Sequence, residues 1–171
     1  MRYIITRNDT RQRSLSEPLI AAFSVAGVFI ILGLVIALTP NISQISNAFV
    51  NDLTTVTYNL GSSGTLNLLA PAHPAQHLAF FRAVMEFLLA VGILQIIFFA
   101  VRLFVRSPIR RISQTIGNIV FWLGGAVAAN VYLLAGTRNG WFEFWTGLLL
   151  VLGISLVARF TVYLLARSAR G

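Results

Sequence analysis

The sequence predicts an all-α integral membrane protein with four transmembrane helices, cytoplasmic termini and one amphipathic helix outside the lipid. The prediction rests on composition, on four long apolar runs and on the distribution of arginine. Of the 171 residues, 57% are hydrophobic and only 11% are charged, whereas soluble domains have about 25% charged residues. A soluble fold with this composition would expose large apolar patches to water. We therefore expect residues 1–171 to form a single membrane domain.

Four apolar runs are predicted to cross the bilayer, because about 20 helical residues cover the ~30 Å hydrocarbon layer. They lie at residues 19–39, 78–105, 112–135 and 141–165. Ser16 is a candidate N-cap ahead of the first run, and Ser107 is a candidate N-cap ahead of the third. The first run is longer than the apolar core of a cleaved signal peptide, which has about 7–15 residues. It is therefore predicted to remain as a span.

The basic residues are all arginines, thirteen in number, and they are unevenly distributed between the two sides of the predicted bilayer. If the chain crosses four times, only Arg82 and Arg138 lie on one side. The others lie on the opposite side: Arg2, Arg7, Arg11, Arg13, Arg102, Arg106, Arg110, Arg111, Arg159, Arg167 and Arg170. Because cytoplasmic loops carry the excess of basic residues, both termini are predicted to be cytoplasmic, in a multi-pass protein of the cell membrane.

The net charge of +8 favours anionic lipid headgroups on the cytoplasmic side as partners. Nucleic acid is not an expected partner, because no nucleic-acid-binding motif accompanies the charge. The chain contains no cysteine, which excludes disulfides, thiolate metal sites and iron–sulfur clusters.

Residues 40–77 form the longest segment predicted to lie outside the lipid. Apolar residues recur there at helical spacing, at Ile42, Ile45, Phe49, Leu53, Val56 and Leu60. This period predicts an amphipathic helix over residues 42–59. The predicted helix has no basic residue, whereas helices that bind a lipid surface on their own are usually basic. We therefore expect this helix to pack against protein, either in this chain or in a partner.

Four charged residues are predicted near the outer ends of the spans, where charge is costly and often functional. They are Arg82, Glu86, Arg138 and Glu143. One interpretation is a network of ion pairs between the second and fourth spans. The other is simple anchoring at the interface. Arg102 and Arg159 follow the two glutamates by sixteen residues, or about 24 Å of helix, so these side chains could reach the opposite interface by snorkelling.

Three amides lie deeper in the predicted spans, and we expect them to form interhelical hydrogen bonds. They are Gln95, Asn118 and Asn130. His73 and His77 have a spacing found in helical metal sites, but Pro74 intervenes and only Glu86 is a further nearby ligand. No metal site is therefore predicted. No catalytic motif or Gly-rich phosphate loop occurs, so neither a catalytic residue nor a cofactor is predicted.

Small residues on two spans are predicted to let helices approach closely, since helices in lipid associate through close packing of small side chains. The first span has such a stripe at Ala22, Ala26, Gly33 and Ala37, and the third has one at Gly124, Gly125 and Ala128.

These observations favour a non-catalytic function, as an accessory or scaffolding subunit of a membrane assembly. Its expected partners are other membrane subunits or further copies of the chain. The alternative is a small oligomeric transporter or channel that uses the outer Arg/Glu cluster. A membrane-embedded enzyme is the least favoured interpretation, because histidine is scarce and no catalytic constellation is evident.

Overall fold

The structure is a computed structural model that describes residues 7–59 and 64–168. It is mostly helical (82%). Within the described residues, four helices are long and apolar enough to cross a membrane. Their apolar stretches are Pro18–Leu38, Pro74–Phe104, Ile109–Leu133 and Arg138–Ala166, which agree with the predicted spans to within a few residues.

The described residues form five α-helices, one β-hairpin and two short helical turns. In chain order they are α1 (Arg7–Leu38), α2 (Ile42–Asn51), β1 (Leu53–Asn59), β2 (Thr65–Pro71), a 3-10 turn (Pro74–His77), α3 (Leu78–Phe104), α4 (Ile109–Ala128), a π-helical turn (Ala129–Leu133) and α5 (Arg138–Ser168). Neither predicted serine cap is observed. The helix α1 begins at Arg7, so Ser16 lies within it. Pro108 precedes α4, and the buried Ser107 hydroxyl has no hydrogen-bond partner among the described residues.

The prediction of a single helix over residues 42–59 is wrong beyond residue 51. The chain instead forms an antiparallel hairpin, in which Leu53 pairs with Pro71 and Asn59 pairs with Thr65. The reason is local composition. Residues 54–57 read Thr-Thr-Val-Thr, and β-branched side chains favour the pleated conformation over the helix. The apolar spacing fits a helix, but these side chains and the pairing with β2 decide the outcome.

The four long helices pack in the order α1, α3, α4, α5. The helix α4 lies between α3 and α5, while α1 packs chiefly against α3. Neighbouring helices approach each other closely at glycines. A Cβ on Gly27 would lie 2.7 Å from Leu94 Cδ2, and one on Gly124 would lie 2.6 Å from Val151 Cγ1. This open order differs from a closed four-helix bundle, in which the first helix would also pack against the last.

The molecule has two chemically distinct ends. We call the end formed by α2, the hairpin, the 3-10 turn and the starts of α3 and α5 the hairpin end. We call the end formed by the α3–α4 link and the later part of α5 the arginine end. The best-buried aromatic residues lie at the hairpin end, where Phe49, Phe81 and Phe144 share one cluster.

Candidate functional site

The hairpin end carries a polar cluster centred on Asp52, which directly follows α2. The Asp52 carboxylate accepts hydrogen bonds from the His73 backbone N–H at 2.8 Å, from His73 Nδ1 at 2.9 Å and from His77 Nε2 at 2.9 Å. The Asp52 carbonyl accepts the Ala72 N–H at 2.9 Å. An ionised carboxylate can only accept hydrogen bonds, so each imidazole carries a proton on the nitrogen that faces it.

These hydrogen bonds hold the pKa of Asp52 far below its usual range. The largest contribution is from the His73 side chain and the next from the His73 backbone N–H; partial burial opposes them, and His77 adds a smaller lowering effect. A carboxylate with a depressed pKa contributes its full stability above its unfolded pKa, which is about 3.9. That stability is lost only as the pH falls through the lower folded-state pKa. Asp52 therefore remains ionised through the neutral and mildly acidic range.

An aromatic layer lies beside this polar cluster and docks α2 onto the bundle. Phe49 stacks on Phe80 with ring centroids 4.4 Å apart and meets Trp141 at 5.8 Å. The buried His77 ring lies edge-on to Phe49 at 5.4 Å. The Trp141 indole N–H donates to the Leu69 carbonyl at 3.1 Å. The hairpin is thus fixed to the start of α3 through Asp52 and to the start of α5 through Trp141.

The four charged residues predicted as an outer cluster are at the hairpin end, but no salt bridge joins them in the described part of the chain. Arg82 and Glu86 are exposed and line a cleft of about 400 Å³ with residues 38–40 at the end of α1. An Arg138 guanidinium nitrogen donates to the Ala72 carbonyl at 3.3 Å. Glu143 is exposed on α5.

The predicted intramembrane amides differ in their surroundings. Gln95 is buried, and its amide nitrogen lies 3.5 Å from Ser24 Oγ, which links α3 to α1 through a long hydrogen bond. Asn118 and Asn130 are exposed.

Arg102 differs from its predicted role as an anchor that extends to the interface. It is 9% exposed and lies between α3 and α4. Its Nη1 donates to Thr115 Oγ1 at 2.6 Å and to the Arg111 carbonyl at 2.8 Å. The hydroxyl and carbonyl acceptors on α4 hold this guanidinium inside the helix pair.

The predicted packing residues fall into two groups. Gly124, Gly125 and Ala128 lie in helix contacts, with Gly124 against Val151 and Gly125 between Leu148 and Leu88. The stripe on α1 is instead exposed along its whole length, at Ala22, Ala26, Gly33 and Ala37. A Cβ on Gly33 would meet no atom within 4 Å.

Sequence reasoning missed the role of Asp52, which is brought to His73 by a hairpin that was not predicted. The isolation of Asp52 in the sequence could have indicated this role, because it is the only acidic residue between Glu17 and Glu86. It is therefore the only carboxylate of that segment that could bind the two histidines. The two imidazoles bond to different oxygens of its carboxylate. Over residues 7–59 and 64–168, no group of three or more His, Cys, Asp or Glu residues is arranged to hold a metal ion.

Comparison with protein-family models, with curated protein sequences and with solved structures finds no match to this chain.

Proposed function

We propose that this chain is a non-catalytic subunit of a membrane protein assembly and that α1 supplies the interface with its partner. The observation that carries the proposal is the exposed stripe of Ala22, Ala26, Gly33 and Ala37. Small residues let membrane helices approach closely, and this is the main source of their association, because lipid tails are as apolar as leucine.

The contrast with other glycines supports this interpretation. Gly27, Gly92 and Gly124 each face a side chain of a neighbouring helix of the same chain. Gly33 has open space where a neighbour would pack. A partner helix against this stripe would give α1 a second packing surface in addition to α3.

The arginine distribution supports an orientation in which the arginine end faces the cytoplasm and the hairpin end faces outward. Both termini are then cytoplasmic, and the hairpin forms a compact outer cap in the cell membrane. The Asp52 cluster and Trp141 serve a structural role there, since they fasten the hairpin to α3 and α5.

The test compares two exposed glycines that both lack neighbours within 4 Å, Gly33 on α1 and Gly153 on α5. The tagged chain and the variants Gly33→Leu and Gly153→Leu are extracted from native cells in mild detergent. Their complexes are then sized and identified by mass spectrometry. We expect a different membrane protein to co-purify with the parent chain and with Gly153→Leu, but several-fold less with Gly33→Leu. Unchanged recovery with Gly33→Leu would refute the interface on α1.

The alternative function is ion transport, which is favoured by the cleft containing Arg82 and Glu86. Its support is weaker, because Gln95 bonds to Ser24 and the spans offer few other polar groups for a path through the midplane. Ion flux through liposomes that contain only this chain, abolished in Glu86→Gln, would favour transport and reject the accessory role.

A further inference from the structure

The arginine end contains a cleft between α4 and α5 of about 440 Å³. Its lining combines cationic, hydroxyl and apolar side chains: Arg110, Ser113, Leu156, Arg159, Phe160 and Tyr163. Arg110 lies in the first turn of α4, while Arg159 lies far along α5. Two guanidinium groups from different helices thus share one opening.

Small residues allow α5 to approach α4 beside this cleft. A Cβ on Gly117 would lie 3.1 Å from the Ser155 carbonyl and 3.2 Å from Arg159 Cβ, so glycine allows α5 to lie against α4 at this point. Ser113 and Ser155 are also buried here. Their hydroxyls donate to carbonyls of their own helices, Arg110 at 3.0 Å and Leu152 at 2.8 Å. The start of the Arg159 side chain therefore lies against α4 at Gly117, about two helical turns beyond Arg110.

No carboxylate of α3, α4 or α5 lies at this end. After Glu86 the sequence has one further acidic residue, Glu143, and it precedes Arg159 by sixteen residues, or about 24 Å of helix. Both glutamates belong to the hairpin end. The remaining acidic residues near this end, Asp9 and Glu17, belong to α1, which packs chiefly against α3 and supplies none of the described residues that line the cleft. The charge on Arg110 and Arg159 is therefore available to an external anion.

The chemistry of the lining selects the kind of anion. Guanidinium groups form paired hydrogen bonds with phosphate oxygens, and the start of a helix adds a favourable field for an anion. Leu156 and Phe160 are 55% and 62% exposed beside the two arginines. These apolar side chains suit acyl chains, and basic pockets between membrane helices bind lipid headgroups.

We propose that this cleft binds the phosphate group of an anionic phospholipid, with Arg110 and Arg159 on the phosphate and the acyl chains along Leu156 and Phe160. The site is separate from the α1 interface, so it holds or fails independently of the proposed function.

The test measures binding of phosphatidylglycerol to the purified chain in detergent by native mass spectrometry, with phosphatidylcholine as the neutral comparison. The variants are Arg110→Gln, Arg159→Gln and the matched control Arg106→Gln, which removes an exposed arginine at the same end outside the cleft. We expect each cleft variant to bind phosphatidylglycerol roughly tenfold more weakly, because charge-assisted hydrogen bonds are lost, and the control to change less than twofold. Arg159→Lys should bind with intermediate affinity.

Three outcomes would overturn the proposal. If all three glutamine variants bind phosphatidylglycerol equally weakly, the lipid is attracted to the basic end as a whole. If neither cleft variant binds it more weakly than the parent chain does, the cleft has no role in lipid binding. Inorganic phosphate is titrated as a competitor. Displacement of phosphatidylglycerol by millimolar phosphate would assign the site to free phosphate instead of lipid. Circular dichroism of each variant confirms that the helices remain folded.

Discussion

Adjacent glycines on α4 should respond in opposite ways to the addition of a single methyl group. A Cβ on Gly124 would lie 2.6 Å from Val151 Cγ1 and 3.0 Å from Val151 Cγ2, well inside the ordinary contact distance of about 3.5–4.0 Å. A Cβ on Gly125 would lie 3.5 Å from Leu148 Cδ1 and 3.8 Å from the Leu88 methyl carbons. Gly125→Ala therefore fills space that already exists, whereas Gly124→Ala requires α5 to move.

The magnitudes follow from two opposing terms. Alanine is favoured over glycine in a helix by about 1 kcal/mol, and both variants gain this. Overpacking costs about 1–3 kcal/mol, and only Gly124→Ala incurs it. Val151 cannot easily relieve the clash, because a β-branched side chain in a helix has one preferred rotamer. We expect Gly124→Ala to lose up to about 2 kcal/mol of stability and Gly125→Ala to be neutral or gain up to about 1 kcal/mol.

The assay is reversible unfolding in mixed micelles with increasing dodecyl sulfate, followed by tryptophan fluorescence, for the parent chain and both variants. The free energies of unfolding of the two variants should differ by about 1–3 kcal/mol, with Gly124→Ala lower. Replacing both glycines by leucine should prevent assembly of the helices. Equal effects of the two alanine variants, or a larger loss for Gly125→Ala, would refute the packing argument.

Two further predictions concern polar residues that join elements. Asp52→Asn removes the charge that accepts the His73 and His77 hydrogen bonds. Amide hydrogen exchange in the hairpin should therefore accelerate at neutral pH. The control Asn51→Ala, at the neighbouring exposed position, should leave the exchange rate unchanged. In the parent chain, the stability that Asp52 contributes should be lost progressively as the pH falls from about 3.9 through the lower folded-state pKa, so hairpin exchange should increase over that range beyond the intrinsic effect of pH. Arg102→Met should lower the free energy of unfolding by about 1–3 kcal/mol, since it leaves buried acceptors on α4 without their donor; a stability equal to that of the parent would argue against this role.

The spans could be predicted from the sequence because their signal is local. A run of apolar residues long enough to cross a bilayer specifies a helix with little dependence on its neighbours. The segment after residue 51 shows the opposite case. Its apolar spacing suits a helix and its threonines suit a strand. The pairing of Thr55 with Leu69 favours the strand, but the spacing of apolar residues within either segment does not indicate that pairing.

The side-chain partners were harder to predict than the helices. The sequence identifies Gly33 and Gly124 as members of two similar stripes. Only the packing order shows that Val151 covers Gly124, whereas no atom of residues 7–59 and 64–168 covers Gly33. Arg102 was expected to extend to the interface, because the sequence does not show that Thr115 and the Arg111 carbonyl lie within its reach. Residue type and depth can be read from a sequence, whereas the identity of a neighbour requires the fold.

The separation of charge between the two ends also couples the molecule to the voltage across its membrane. In the proposed orientation, moving an arginine of the cytoplasmic end across the membrane against an inside-negative potential would cost about 2.3 kcal/mol per charge per 100 mV. The acidic residues of α3 and α5, Glu86 and Glu143, lie at the hairpin end, so they do not offset the charge of Arg106, Arg110 and Arg159 at the cytoplasmic end. In that orientation an inside-negative potential opposes inversion of the chain, in addition to the preference of its apolar helices for lipid.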